Sequence, residues 1–185
     1  MPHVSSPFIL HPTLVLGGAR SGKSRFAEQL ARDSGLTRIY LATATAGDDE
    51  MRARIAHHRA QRGDGWRTVE EPLALVDALT REAGDGRVVL VDCLTLWLSN
   101  LMHVARDIEA ETRVLAEWLR GTRHPVLLVS NEVGLGLVPE TPLGRDFRDA
   151  QGRLNQAIAA VVPEVAFVAA GLPLWLKRES IEGAP

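Results

Sequence analysis

Thr13-Leu14-Val15-Leu16 is followed without a gap by Gly17-Gly18-Ala19-Arg20-Ser21-Gly22-Lys23-Ser24 and then by Arg25-Phe26-Ala27-Glu28-Gln29-Leu30-Ala31-Arg32. The first stretch reads as a short buried strand and the last as an amphipathic helix. The middle fits G-x-x-x-x-G-K-[ST], the loop that wraps a nucleotide's phosphates. Its glycines let backbone N–H groups turn inward around a polyanion, and the helix N-terminus adds a partial positive charge. Lys23 supplies a cation for the β- and γ-phosphates, and Ser24 a hydroxyl for Mg²⁺. The competing reading is a glycine-rich turn before an ordinary helix. Strand, loop and helix in register favour a nucleotide site.

Working outward, short apolar runs alternate with amphipathic patterns from end to end. Strands are expected at Thr13–Leu16, Arg38–Ala42, Val88–Val91, Val126–Ser130, Val165–Ala169 and Leu174–Lys177. Helices are expected at Lys23–Asp33, Asp48–Gln61, Leu73–Ala83, Leu94–Met102, Ile108–Arg120 and Leu143–Val161. Most strand runs are apolar throughout, as parallel strands covered on both faces are. That order predicts an α/β, P-loop NTPase-like fold: a doubly wound, mainly parallel sheet with helices on both faces. No linker divides the 185 residues, so one nucleotide-binding domain is expected, with looser ends at about 1–12 and 178–185. Ligands in such sheets sit at the carboxyl ends of the strands.

Composition narrows the classes. Apolar content of 45% and charged content of 24% are those of a soluble globular protein, and a net charge of −2 offers no attraction for nucleic acid. The single cysteine, Cys93, rules out an internal disulfide and suits a reducing cytoplasm. Residues 1–12 lack the features of a signal peptide. The most apolar stretch, Val165–Leu176, is too short to span a bilayer.

Arg87-Val88-Val89-Leu90-Val91-Asp92 is an apolar strand ending in a carboxylate. If its strand neighbours that of the phosphate loop, Asp92 sits beside the loop and holds Mg²⁺, directly or through water, opposite Ser24. The alternative is an N-cap for the helical run from Leu94.

The Asp48–Gln61 segment begins acidic and turns basic, which complements a helix macrodipole. Met51 and Ile55 mark its inward face. At 100° per residue His58 lies roughly 20° from Met51 and His57 about 120° away. His58 therefore looks inward. An inward imidazole is a metal ligand, a base, a nucleophile or a packed residue. Adjacent histidines lack the i,i+4 spacing of a helical zinc pair. A neutral imidazole can attack an α-phosphorus and expel pyrophosphate.

Asn131-Glu132-Val133-Gly134-Leu135-Gly136 follows the fourth strand, where Glu132 suits a metal or hydroxyl contact or simply solvent. Arg145, Arg148 and Arg153 offer charge for phosphate from a helix, although helix-surface arginines are usually solvated. Trp66–Glu71 reads as a further short strand, with Glu70 able to meet a ribose hydroxyl. No Asn-Lys-x-Asp motif reads guanine.

Gly17–Ser24 with Arg25, Tyr40-Leu41-Ala42-Thr43-Ala44, Asp48-Asp49-Glu50-Met51, Arg54-Ile55, His58-Arg59, Trp66-Arg67-Thr68, Asn131-Glu132-Val133-Gly134, Phe147-Arg148-Asp149 and Gly152-Arg153 together resemble the bifunctional adenosylcobinamide kinase/adenosylcobinamide-phosphate guanylyltransferases. The resemblance covers about Thr13 to Lys177. It implies an enzyme of cobalamin biosynthesis that phosphorylates adenosylcobinamide with ATP or GTP. It further implies transfer of GMP from GTP to adenosylcobinamide phosphate, giving adenosylcobinamide-GDP and pyrophosphate. The family's GMP-carrying histidine matches His58. Its nucleotide contacts match Gly17, Gly18, Ala19, Arg20, Ser21, Gly22, Lys23 and Ser24. Further contacts match Ala42, Thr43 and Ala44, then Arg59, Ala60, Gln61 and Arg62, and finally Glu70 and Asp92. Asp92 stands where some members carry Glu, and Phe26 where some carry His. Members resemble one another in forming homotrimers. A plain small-molecule kinase, with His58 merely packed, and a nucleotide-gated switch are the competing functions.

Overall fold

The computed structural model describes residues 10–45 and 63–178. Along them run β1 (Thr13–Gly17), α1 (Lys23–Asp33), β2 (Thr37–Ala42), β3 (Trp66–Glu70), α2 (Leu75–Glu82), β4 (Arg87–Asp92), α3 (Leu94–His103), α4 (Ile108–Gly121), β5 (Val126–Asn131), α5 (Pro142–Val161), β6 (Glu164–Ala169) and β7 (Leu172–Lys177). The strands form one seven-stranded sheet in the order β3-β2-β4-β5-β1-β6-β7. Every pairing is parallel except β6 with β7, which is antiparallel. The mainly parallel α/β architecture expected from the alternating pattern is therefore present.

Burial on both faces explains the apolar runs. Successive residues of a strand point to opposite faces. In β4, Val89 and Val91 join Leu79, Leu94, Trp97, Leu115 and Leu154 in one core, on the side covered by α2 to α5. Val88 and Leu90 join Val15, Val129, Ala27, Leu30 and Ala31 in a second core beneath α1. One strand thus feeds two cores, which a polar residue at any inner position would disrupt. Trp97 is fully buried and its indole N–H donates to the Leu73 carbonyl at 2.9 Å, so its size brings no orphaned donor.

Helix starts follow local chemistry. Asp107 accepts from the Ala110 N–H at 3.0 Å, and Thr141 accepts from the Gly144 N–H at 3.1 Å with proline in the first turn. The helix expected from Leu73 begins instead at Leu75. Glu71 Oε1 takes the N–H groups of Leu73 and Ala74 at 3.1 and 2.9 Å, holding those residues outside the helix. The helix expected at Asp48–Gln61 lies outside the described residues. No described helix is long and apolar enough to cross a membrane.

Candidate active site

Gly17 ends β1 with β5 on one side and β6 on the other. A Cβ there would lie 2.5 Å from both Ser21 Oγ and the Val168 carbonyl, so only glycine fits this opening of the loop. Arg20 and Gly22 adopt left-handed conformations, with φ of 57° and 98°. Gly22 also meets Gly171, whose N–H donates to the Ser21 carbonyl at 2.8 Å. The β6–β7 turn therefore braces the loop from outside.

Gly22 is the N-cap of α1, with no side-chain capping bond and no acidic residue in the first turn. The N-terminal N–H groups and the positive end of the helix dipole are thus left for an anion. Lys23 is buried, and its ammonium curls back to donate to the Gly18 carbonyl at 3.0 Å. Ser21 Oγ is buried with no hydrogen-bond partner, a polar atom that a phosphate oxygen would satisfy. Uncapped amides, a cation and an unsatisfied hydroxyl together suit a polyphosphate.

The strand that ends in Asp92 is not the neighbour of the strand that leads into this loop. β5 separates β4 from β1, which puts their axes roughly 10 Å apart. The N-cap alternative also fails: Cys93 occupies the cap of α3, while Asp92 is the last residue of β4 and accepts from the Tyr40 hydroxyl at 3.1 Å. Ala42, Glu70 and Asp92 stand level on adjacent strands. Glu70 is exposed at the end of edge strand β3. Asp92 is half-buried, and Ala44 half-buried beyond the end of β2.

Thr43 is fully buried. Its hydroxyl donates to the Cys93 carbonyl at 2.7 Å and accepts from the Cys93 N–H at 2.9 Å. Asn100 reaches from α3 to the carbonyls of Thr43 and Pro72, at 2.8 and 3.1 Å. Burial pushes the Cys93 thiol up to about 11, helped by the negative charge of Asp92 and partly offset by backbone hydrogen bonds and Lys23.

At the end of β5 a buried polar network fixes Asn131. The Ser130 hydroxyl donates to Asn155 Oδ1 at 2.6 Å, and Gln151 Nε2 donates to both partners at 2.9 and 3.0 Å. Asn155 Nδ2 donates to the Asn131 carbonyl at 3.1 Å, and Thr95 Oγ1 accepts from the Asn131 N–H at 2.8 Å. Sequence reading missed this network and Asn100. The available signal was polar residues on otherwise apolar helix faces. Glu132 Oε1 accepts from the Gly134 N–H, Arg145 binds the carbonyls of Pro139 and Glu140, Arg148 lies beside Asp149, and Arg153 is exposed.

His57, His58, Arg59, Ala60, Gln61 and Arg62 lie outside the described residues. Among those described, no group of three or more His, Cys, Asp or Glu could hold a metal alone. The Ser24 hydroxyl and Asp92 carboxylate are hard oxygen donors that fit Mg²⁺, an ion that keeps several waters and shares phosphates with its substrate.

A family model described as "Cobinamide kinase / cobinamide phosphate guanyltransferase" matches residues 13–176. The chain is 54% identical over 170 residues to the bifunctional adenosylcobalamin biosynthesis protein CobP of Pseudomonas aeruginosa, covering 91% of this chain and 98% of that one. It is 41% identical over 179 residues to the bifunctional adenosylcobalamin biosynthesis protein CobU of Escherichia coli, covering 89% and 98%. Among solved structures it resembles the flagellar accessory protein FlaH from Methanocaldococcus jannaschii, with TM-score 0.55 and 11% identity over 91% of this chain and 79% of that one. The ATPase EscN of an enteropathogenic E. coli type III secretion system gives TM-score 0.57 and 11% identity over 88% and 43%. At that identity the structural likeness speaks for the P-loop NTPase fold alone.

Proposed function

Because this chain belongs to the cobinamide kinase / cobinamide phosphate guanyltransferase family, we propose that one phosphate loop, Gly17–Ser24, serves both of its reactions. The enzyme is bifunctional, a kinase of cobinamide and a guanylyltransferase of cobinamide phosphate. The uncapped N-terminus of α1 beside Lys23 is the observation that carries the reading.

In the kinase step the acceptor hydroxyl oxygen attacks Pγ of ATP or GTP. The bond from Pγ to the nucleoside diphosphate breaks and the hydroxyl proton passes to solvent water. Lys23 and the α1 amides stabilise charge on the phosphate oxygens as it redistributes. In the transferase step the His58 imidazole attacks Pα of GTP, forming a P–N bond and releasing pyrophosphate. An oxygen of adenosylcobinamide phosphate then attacks that phosphorus, breaking the P–N bond and yielding adenosylcobinamide-GDP. Ser24 and Asp92 would hold Mg²⁺, whose charge supports both transfers. The separation of β4 from β1 favours contact through water at Asp92. Ala42, Thr43, Ala44, Arg59, Ala60, Gln61, Arg62 and Glu70 complete the nucleotide contacts, with Thr43 acting by shaping the edge. Arg145 and Arg148 stand near the same edge without an assigned part.

A homotrimer is part of this reading. The row Leu172, Leu174 and Leu176, exposed among the described residues on the outermost strand β7, supports assembly, since an apolar strand edge invites association. The lone, buried Cys93 supports a cytoplasmic setting. Intact-protein mass spectrometry after incubation with GTP and Mg²⁺ tests the central step. One acid-labile GMP per chain is expected on the parent protein and none on Lys23→Ala, which should also lose on the order of 10²–10³ in kinase rate. An unchanged parent mass would remove the histidine route.

A further inference from the structure

Two groups of large apolar side chains stand exposed among the described residues. One is the β7 row. The other is Leu135, Leu137, Val138 and Leu143, which are 80, 96, 64 and 69% exposed, on and just after the connection from β5 to α5. This connection leaves the sheet beside the phosphate loop. Asn131 is level with Gly17, and the Glu132 N–H donates to the Gly17 carbonyl at 3.0 Å.

The connection is held by its own polar groups. Glu132 Oε1 accepts from the Gly134 N–H at 2.7 Å, and Arg145 Nη1 donates to the carbonyls of Pro139 and Glu140 at 3.1 and 2.8 Å. These bonds shape the backbone while its apolar side chains face solvent. A built loop that shows leucines to water at the ligand edge has a partner to receive.

We propose that this connection is the platform for the corrinoid acceptor, with the ring edge on Leu135, Leu137 and Val138 and the side-arm hydroxyl directed to Gly17–Ser24. The inference rests on the function proposed above and names where its acceptor lies. Phosphoryl transfer requires the acceptor oxygen within about 3–3.5 Å of phosphorus, so the rest of the acceptor must lie on a surface flanking the loop. A corrin ring is too broad to enter between strands. Its periphery of methyl groups and amide-bearing arms matches an apolar platform rimmed by Glu132, Glu140 and Arg145. The β7 row differs because it lies on the outermost strand of the sheet among the described residues, where an edge suits pairing with another chain. The connection contains no strand and offers no such edge.

The test uses the full-length Leu135→Ser/Leu137→Ser variant, both side chains being exposed and so dispensable for folding. Kinase kinetics are measured with adenosylcobinamide and ATP, alongside GTP-dependent protein guanylylation, which needs no acceptor, and sedimentation mass. The KM for adenosylcobinamide should rise at least tenfold, with the KM for ATP, the adduct stoichiometry and the mass unchanged. Leu135→Met/Leu137→Met should restore it. An acceptor KM within twofold of the parent overturns the proposal, as does a fall in mass, which would make the patch an interface between copies. A parent protein that leaves adenosylcobinamide unphosphorylated overturns the underlying function instead.

Discussion

Thr43 and Cys93 clasp each other across the ends of β2 and β4, the threonine hydroxyl donating to the cysteine carbonyl at 2.7 Å and accepting from its N–H at 2.9 Å. Both residues are buried, so each bond satisfies a backbone group that water cannot reach. The clasp sets the backbone that carries Asp92, one residue upstream. The Asp92–Cys93 peptide is cis.

Thr43→Val keeps the shape and removes the hydroxyl, orphaning the Cys93 N–H, while the Cys93 carbonyl keeps the Trp97 N–H at 3.1 Å. At about 1–3 kcal/mol for one unsatisfied buried group, the variant should lose roughly 1–3 kcal/mol. Thermal denaturation should show a fall of roughly 2–12 °C, with Thr43→Ser recovering most of it. A valine variant as stable as the parent would mean the clasp contributes nothing.

Asp92→Asn retains an oxygen to accept from the Tyr40 hydroxyl but loses the charge. Because the side chain caps no helix, the melting temperature should stay within about 2 °C, in line with substitutions away from buried features. The Mg²⁺ concentration for half-maximal kinase rate should rise at least tenfold. Unchanged Mg²⁺ dependence would take the carboxylate out of the metal site.

His58→Ala should abolish protein guanylylation while leaving kinase activity measurable, since phosphoryl transfer to a hydroxyl needs positioning and charge rather than a protein nucleophile. His57→Ala should spare both. The attacking imidazole must be neutral, so adduct formation should decline below about pH 6.5, the ordinary histidine value. A GMP adduct of full stoichiometry on His58→Ala would transfer the role to another residue.

The Cys93 thiol, pushed up to about 11 by burial and by Asp92, stays neutral in the folded chain at pH 8. Iodoacetamide should leave the native protein unmodified and alkylate it once unfolded. Below its ordinary value of 9.0 the thiol is neutral in both states, and its contribution to stability is fully present. Between 9 and 11 only the unfolded chain ionises, so stability falls as pH rises through that window. Denaturation midpoints should drop more steeply there for the parent than for Cys93→Ala. Parallel curves would show that the thiol does not titrate differently on unfolding.

Local pattern alone determined much of this protein. The Gly17–Ser24 motif identifies the phosphate loop, because its chemistry depends on residues adjacent in sequence. The bounds of α1 at Lys23–Asp33 follow from the same short-range information, and the apolar runs of β4 and β5 announce strands buried on both faces. Strand order was decided only by the tertiary structure. β5, remote in sequence from β1, inserts between β1 and β4, so the strand ending in Asp92 is not the neighbour of β1 that a place directly beside the loop required. The antiparallel turn of β7 against β6, the Thr43–Cys93 clasp and the Ser130–Gln151–Asn155 network belong to the same class. Each joins residues far apart along the chain, and such pairings are chosen by how whole elements bury their faces together, a quantity that no local spacing records.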